Sequence, residues 1–317
     1  MEQGKVVYIL NERSRVTREV LEENGFTVVV GNGVLSDELL AQCWALLPGR
    51  GVITKEVLDK APNLKIIAKE GVGVERIDVP ACTERGIVVT NTPLSNYIPV
   101  AEHTMMLILA AAKRLYPLSL RLRKDPPEAP KGVDFPSMEL YGKKLALIGF
   151  GHIGARVAQL AHAFGMEIVA YVRRPERIDP PEYVTLTASM EEAVRQGDVV
   201  SLHVSGVEAN RGLFGAAQFA VMKPTAILIN TTRGMIVDEA ALYGALKDGV
   251  IAGAAVDVFR DELVKAGNPL LPLENLVATP HTGANTRESR DRACRECAQA
   301  VLDYAAGKTP ASAVNRI

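Results

Sequence analysis

The stretch KLALIGFGHIGARVAQLAHAFGMEIVAYVRRPE, residues 144–176, constrains the fold more than any other part of the chain. An apolar strand runs into Gly149, Gly151 and Gly154, spaced as GxGxxG. A helix from Ile153 to Phe164 follows, Gly165 ends it, and a second strand spans Glu167 to Val172. Strand, turn, helix and strand in this order make a βαβ unit with parallel strands. In that setting Gly149 permits the tight turn, Gly151 lets the backbone approach a pyrophosphate, and Gly154 lets helix and strand pack closely. The amides at the helix start, around His152 and Ile153, would bind the anion. The other reading of the glycines is a purely structural turn.

The end of the second strand bears on which dinucleotide is bound. NAD sites usually carry Asp or Glu there, accepting from the ribose 2′-hydroxyl. Here Val172 cannot accept, and Arg173 and Arg174 offer planar donors suited to a 2′-phosphate. The exchange predicts that NADP(H) is favoured over NAD(H). A solvated basic turn with little discrimination is the alternative.

The rest of the 317-residue chain repeats the alternation. KVVYIL, TVVV, LKIIAK and GIVVT are strand candidates in the first hundred residues, with helices such as SRVTREVLEENG between them. VAEHTMMLILAAAKRLYPLSLRLRK, from Val100, reads as one long helix, and the Pro-rich DPPEAPKGVDFPSMEL as loop. About six strands follow (LALIGF, EIVAYV, DVVSLHV, TAILIN, IAGAAVDV and NLVATP), then a last helix from about Thr286 to Ala306. A net charge of -1 gives no field to attract nucleic acid or anionic lipid. The longest apolar run, Met105 to Ala112, is too short for a bilayer. No signal peptide precedes the first strand, so a cytoplasmic protein is expected. Four cysteines include Cys294 and Cys297 in CxxC, but no second pair completes a zinc set. Helical periodicity puts those two thiols on one helix face, and no metal is expected.

Three further segments carry a resemblance: GVGVERIDVPACTERGIVVTNTPLSNYIPVAEHT, MKPTAILINTTRGMIVDEAALYGALKDGVIAGAAVDVFRDE and TPHTG. With the glycine loop they resemble, in the right order from about Leu64 to Gly283, the D-2-hydroxyacid dehydrogenase family. That family includes phosphoglycerate dehydrogenases, hydroxypyruvate and glyoxylate reductases and D-lactate dehydrogenases. The resemblance implies Arg233, Glu262 and His281 as the catalytic set. Reduction of a 2-keto acid puts a hydride on the carbonyl carbon and a proton on its oxygen. His281 would give the proton, Glu262 would favour the charged imidazole, and Arg233 would bind the carboxylate and polarise the carbonyl. The resemblance also puts Asp257 against the nicotinamide amide and has Val204, Thr232 and Gly283, with Thr104 nearby, line the cofactor. Backbone amides of Val72 and Gly73 would meet the substrate carboxylate. Lys69 would lie near the substrate, or be a solvated strand-end lysine.

The chain departs from the family pattern in places. Leu263 stands where proline usually follows the glutamate, Pro48 stands where many phosphoglycerate dehydrogenases have arginine, and Glu70 adds negative charge beside the substrate loop. Nor is the regulatory C-terminal domain of longer relatives expected.

The expected fold is α/β. It has two Rossmann-like domains with parallel sheets, one flavodoxin-like and one dinucleotide-binding, with a cleft between them. Residues 1–99 with 285–317 would form the substrate domain and 100–284 the dinucleotide domain. The long helix and Pro-rich loop resemble the family's dimerisation arm, so a homodimer is expected. The expected partner is a small 2-keto or 2-hydroxy acid, with neither nucleic acid nor membrane. A rival reading, on a similar scaffold, is a non-catalytic, dinucleotide-sensing protein like the dehydrogenase-like corepressors.

Overall fold

In the computed structural model, residues 4–124, 137–261 and 264–317 are described. The chain divides into two compact units, Met1–Asn96 with Asn285–Ile317, and Tyr97–Ala284.

The first unit holds a five-stranded parallel sheet: β1 (Val6–Ile9), β2 (Thr27–Val30), β3 (Ala45–Leu47), β4 (Ile66–Ala68) and β5 (Val88–Thr90), in the order β2-β1-β3-β4-β5. This is the flavodoxin-like arrangement, with the strand order reversing between β1 and β3. Strands β3, β4 and the edge strand β5 are buried along their whole length, as strands covered on both faces must be. Helix Arg287–Ala305 covers one face through Cys297, Ala298 and Val301, which pack with Val7, Ile66 and Ala68. Sequence periodicity misses β3. It is three residues long, Ala-Leu-Leu, with no β-branched residue to mark it.

The second unit holds a seven-stranded parallel sheet: β6 (Lys144–Ile148), β7 (Glu167–Tyr171), β8 (Val184–Thr187), β9 (Val199–Leu202), β10 (Ile227–Asn230), β11 (Gly253–Val256) and β12 (Leu276–Ala278). Its order, β12-β11-β10-β9-β6-β7-β8, is the doubly wound dinucleotide-binding order extended by one strand. The strand count is therefore seven rather than about six. The strand absent from the six sequence candidates is β8, a half-exposed edge strand whose Val-Thr-Leu-Thr pattern is weak.

The single long helix expected from Val100 is in fact two, Tyr97–Ala112 and Leu115–Lys124. Pro117 explains the break. It has no N–H to give the carbonyl of Lys113, and its ring would clash there, so it fits only in the first turn of a new helix. The chain turns at Arg114, whose φ of 51° is left-handed. The Pro-rich segment 125–136 lies outside the described residues. No helix among the described residues is long and apolar enough to cross a membrane.

Candidate active site

The loops leaving β6, β9, β10, β11 and β12 lie at one edge of the seven-stranded sheet, because all strands run the same way. Gly149 has φ +105°, and a Cβ there would come within 2.6 Å of the His203 carbonyl oxygen. A Cβ on Gly154 would come within 2.7 Å of the Gly149 carbonyl oxygen. Gly151 differs. Its φ of -95° suits any residue, and a Cβ would meet nothing within 4 Å. The fold demands glycine at 149 and 154 but not at 151, where the backbone is left open. Helix His152–Ala163 starts there without a side-chain cap, so its first-turn amides face outward, with His152 exposed and Ile153 half-buried. Past β7, Val172 is buried, while Arg173 and Arg174 are exposed and pair with no described carboxylate.

The loop after β10 is held by Asn230, which is buried. Its Oδ1 accepts from the Thr232 amide (3.0 Å) and hydroxyl (2.8 Å), and its Nδ2 donates to the Arg233 carbonyl at 3.1 Å. Arg233 Nη1 donates to the Thr232 carbonyl at 2.8 Å. Its stem fills the space above Gly206, where a Cβ would overlap it. Gly234 packs directly on the Phe259–Arg260 peptide, where no other residue has room. These contacts bring Arg233, Asp257, Phe259, Pro280 and His281 around one cavity of about 130 Å³. Glu262 and Leu263 lie outside the described residues.

Asp257 organises the last loop. Its Oδ1 accepts from Thr279 Oγ1 (2.5 Å) and the Thr282 amide (2.9 Å), and its Oδ2 from the Gly283 amide (2.8 Å). His103 Nε2, from helix Tyr97–Ala112, sits 3.3 Å from Oδ1. Burial alone would raise the carboxyl's pKa. The bonds from His103, Thr279 and the two amides outweigh it and hold the group below its ordinary value. His281 is exposed, with φ +54°, and its amide donates to the Asp257 carbonyl at 2.8 Å. Val204, half-buried, follows His203 at the end of β9. His203 Nε2 meets Ser201 Oγ at 2.9 Å, while its buried Nδ1 has no partner.

Two of the expected cofactor residues, Thr104 and Asp257, are tied to their own unit by hydrogen bonds. Thr104 is fully buried, its hydroxyl bonded to the Val100 carbonyl (2.7 Å) and Thr231 Oγ1 (3.0 Å). It braces the loop after β10 from inside. Asp257 is 2% exposed, and its carboxylate is bonded within its own loop at the cavity wall.

In the first unit the loop after β4 carries Val72, which is exposed, and Gly73 beneath the Glu75 carboxylate. Lys69 Nζ donates to the Glu70 carbonyl at 2.5 Å, and burial pulls its pKa down. Glu70 does not add open charge beside this loop, as its sequence position suggests. It turns inward, 5% exposed, takes the Cys294 thiol on Oε1 at 3.4 Å, and has its pKa raised by burial. Among the described residues no group of three His, Cys, Asp or Glu side chains could hold a metal.

The family model described as "D-isomer specific 2-hydroxyacid dehydrogenase, NAD binding domain" matches residues 105–283. The chain is 40% identical over 302 residues to D-3-phosphoglycerate dehydrogenase of Methanocaldococcus jannaschii, covering 94% of this chain and 57% of that protein. The chain belongs to the D-isomer specific 2-hydroxyacid dehydrogenase family. It spans little more than half the length of that relative. It is also 40% identical over 265 residues to glyoxylate reductase of Aeropyrum pernix, covering 82% of this chain and 79% of the relative. The crystal structure of the TT0316 protein from Thermus thermophilus superposes with a TM-score of 0.87 at 34% identity, covering 98% of this chain and 100% of that one.

For this dehydrogenase-family chain, sequence reading missed three residues that build the site: Asn230, Gly234 and Thr279. Within the second quoted segment Asn230 precedes TTRG and Gly234 ends it, and Thr279 opens TPHTG. Motif position alone flags them. What they do depends on which loops the sheet brings together.

Proposed function

We propose that this chain is a nicotinamide-dependent D-2-hydroxyacid dehydrogenase that favours NADP(H) and reduces a small 2-keto acid. The observation that carries the reading is the single cavity walled by Arg233 and His281, at the strand ends that also bear the glycine turn. The turn fits a dinucleotide, because Gly151 has no internal reason to be glycine and the helix behind it is uncapped. When bound, the nicotinamide supplies or takes the hydride. Arg233 binds the substrate carboxylate and polarises the carbonyl with fixed donors. His281 gives its proton to the carbonyl oxygen, and the product is the 2-hydroxy acid. Glu262 serves as the imidazole's carboxylate partner, and the Val72 and Gly73 amides with Lys69 complete recognition of the acid. Val204, Thr232 and Gly283 line the cofactor's seat, and Arg173 and Arg174 take the 2′-phosphate.

Because Glu70 is buried, it gives no ground for rejecting a phosphorylated acid. The relatives named above act, by name, on phosphoglycerate and on glyoxylate, and the substrate is sought in that range. A homodimer fits the exposed Met106, Leu115, Tyr116 and Leu122 on the two helices after Tyr97. Four free thiols suit a reducing compartment such as the cytoplasm.

The test is kcat/KM for glyoxylate, hydroxypyruvate and pyruvate with NADPH and NADH, and for 3-phosphoglycerate with NAD. At least one acid turns over, and His281→Ala lowers kcat by about 10²–10⁴. Tight dinucleotide binding with no turnover would return the chain to a sensing role. No dinucleotide binding would end the reading.

A further inference from the structure

His281 has φ +54°, one of two left-handed residues other than glycine among the described residues. That conformation costs an L-residue about 1–2 kcal/mol, so something outside the residue holds it. Its holder is the Asp257 carboxylate, which takes the Thr282 and Gly283 amides just beyond it and the Thr279 hydroxyl just before it.

Proton inventory then fixes the role of His103. A threonine hydroxyl has one hydrogen, and that of Thr279 goes to Asp257 Oδ1 at 2.5 Å. At 3.0 Å from His103 Nε2, Thr279 Oγ1 can therefore only accept. His103 Nε2 must carry the hydrogen, and it shares that hydrogen with Asp257 Oδ1 at 3.3 Å. The ring also lies against Gly283, where an added Cβ would sit 3.4 Å from His103 Cδ2. One imidazole thus touches Thr279, Asp257 and Gly283, on both sides of His281 in sequence. An apolar residue could fill the same space, but it would leave Thr279 Oγ1 without a donor.

We propose that His103 is a positioning residue. Its Nε2–H ties Thr279 to Asp257 and so fixes the left-handed turn that aims the His281 imidazole at the substrate oxygen. This rests on the function proposed above, and acts on the proton step rather than on dinucleotide binding.

The experiment compares His103→Phe and His103→Gln in the full chain, each alone and with His281→Ala. The reported quantities are kcat, KM and dinucleotide Kd. Phe fills the space without donating, and kcat should fall about tenfold to a hundredfold with KM and Kd within about twofold. Gln can donate from a similar reach and should recover most of the loss. In the His281→Ala background, His103→Phe should cost nothing further, because the group it aims is gone. A merely packing role would move KM, Kd and thermal stability, show no rescue by Gln, and persist in that background; any of these overturns the proposal. If His103→Phe does not fold, His103→Asn, too short to reach Thr279, carries the same expectation. If His281→Ala itself leaves kcat unchanged, the proposed function fails. If His281→Ala lowers kcat and His103→Phe does not, only the positioning role fails.

Discussion

The two units share an architecture and differ at one turn. Each is a doubly wound parallel sheet, and in each the first strand of the sheet runs into a helix on which the topology would seat an anion. In the second unit that turn is GFGHIG, with backbone exposed at Gly151. In the first it is the run from Leu10 to Arg15, with no glycine at all. There side chains fill the crest. Glu12 pairs with Arg18 at 3.1 Å, and Ser14 donates to Asp291 at 2.8 Å. Side chains rather than open backbone thus stand before helix Val16–Glu23. The comparison shows how little of a binding site belongs to the fold. Strand order creates the place, and the absence of side chains at a single turn makes it usable.

The comparison breaks most sharply at Gly151. Gly151→Ala should fold normally, because its φ is ordinary and a Cβ finds open space. Its methyl should nonetheless weaken dinucleotide binding by about 10- to 100-fold, the 1–3 kcal/mol that overpacking costs. The control in the first unit is Gly25→Ala, at φ +83° behind helix Val16–Glu23. That change should cost about 1–2 kcal/mol of stability and leave binding alone. Titration calorimetry and urea unfolding read the two effects. Undiminished binding in Gly151→Ala would show that the turn is only structural.

The next effect tests Arg173 and Arg174. Replacing both with Ala should lower kcat/KM with NADPH by about 10- to 100-fold, since bonds to a charged group contribute about 1.5–3 kcal/mol. The value with NADH should change little. Equal losses with both cofactors would mean the arginines shape the turn without reading the 2′-phosphate.

Most of the fold is legible in the sequence, because buried parallel strands leave continuous apolar runs and the glycine turn marks the first crossover. What escapes is local. A three-residue strand such as Ala45–Leu47 carries no period, and the edge strand Val184–Thr187 has too little burial to show one. Pro117 lies in the middle of an apolar-basic run, and its power to split the helix is clear only once the register is known. At the site, Arg233 and His281 are legible as motif residues. The inward turn of Glu70 towards Cys294, the committed carboxylate of Asp257 and the closed environment of Thr104 are not. Each depends on which element packs opposite, and a carboxylate in a loop looks the same in sequence whether it meets solvent or a thiol.

The smallest effect sets the two units against each other in pH. In the second unit, burial pushes the His203 pKa down from 6.5 to about 3. The folded state therefore binds fewer protons than the unfolded chain between those values, and stability is lost as pH falls through that window. In the first unit, burial raises the Glu70 pKa. The folded state there holds a proton that the unfolded chain releases, so stability is lost as pH rises above the ordinary value of 4.5. Hydrogen exchange reads each unit separately, through the β6 amides in one and the β4 amides in the other. Lowering pH from 7 to 5 should weaken protection of β6, and His203→Gln should flatten that fall. Glu70→Gln should strengthen protection of β4 at pH 8 and do little at pH 4. Each kcal/mol recovered raises the melting temperature of a domain of this size by about 2–4 °C. Identical pH profiles for wild type and both variants would mean that neither buried group titrates apart from its unfolded value, and the opposition between the units would disappear.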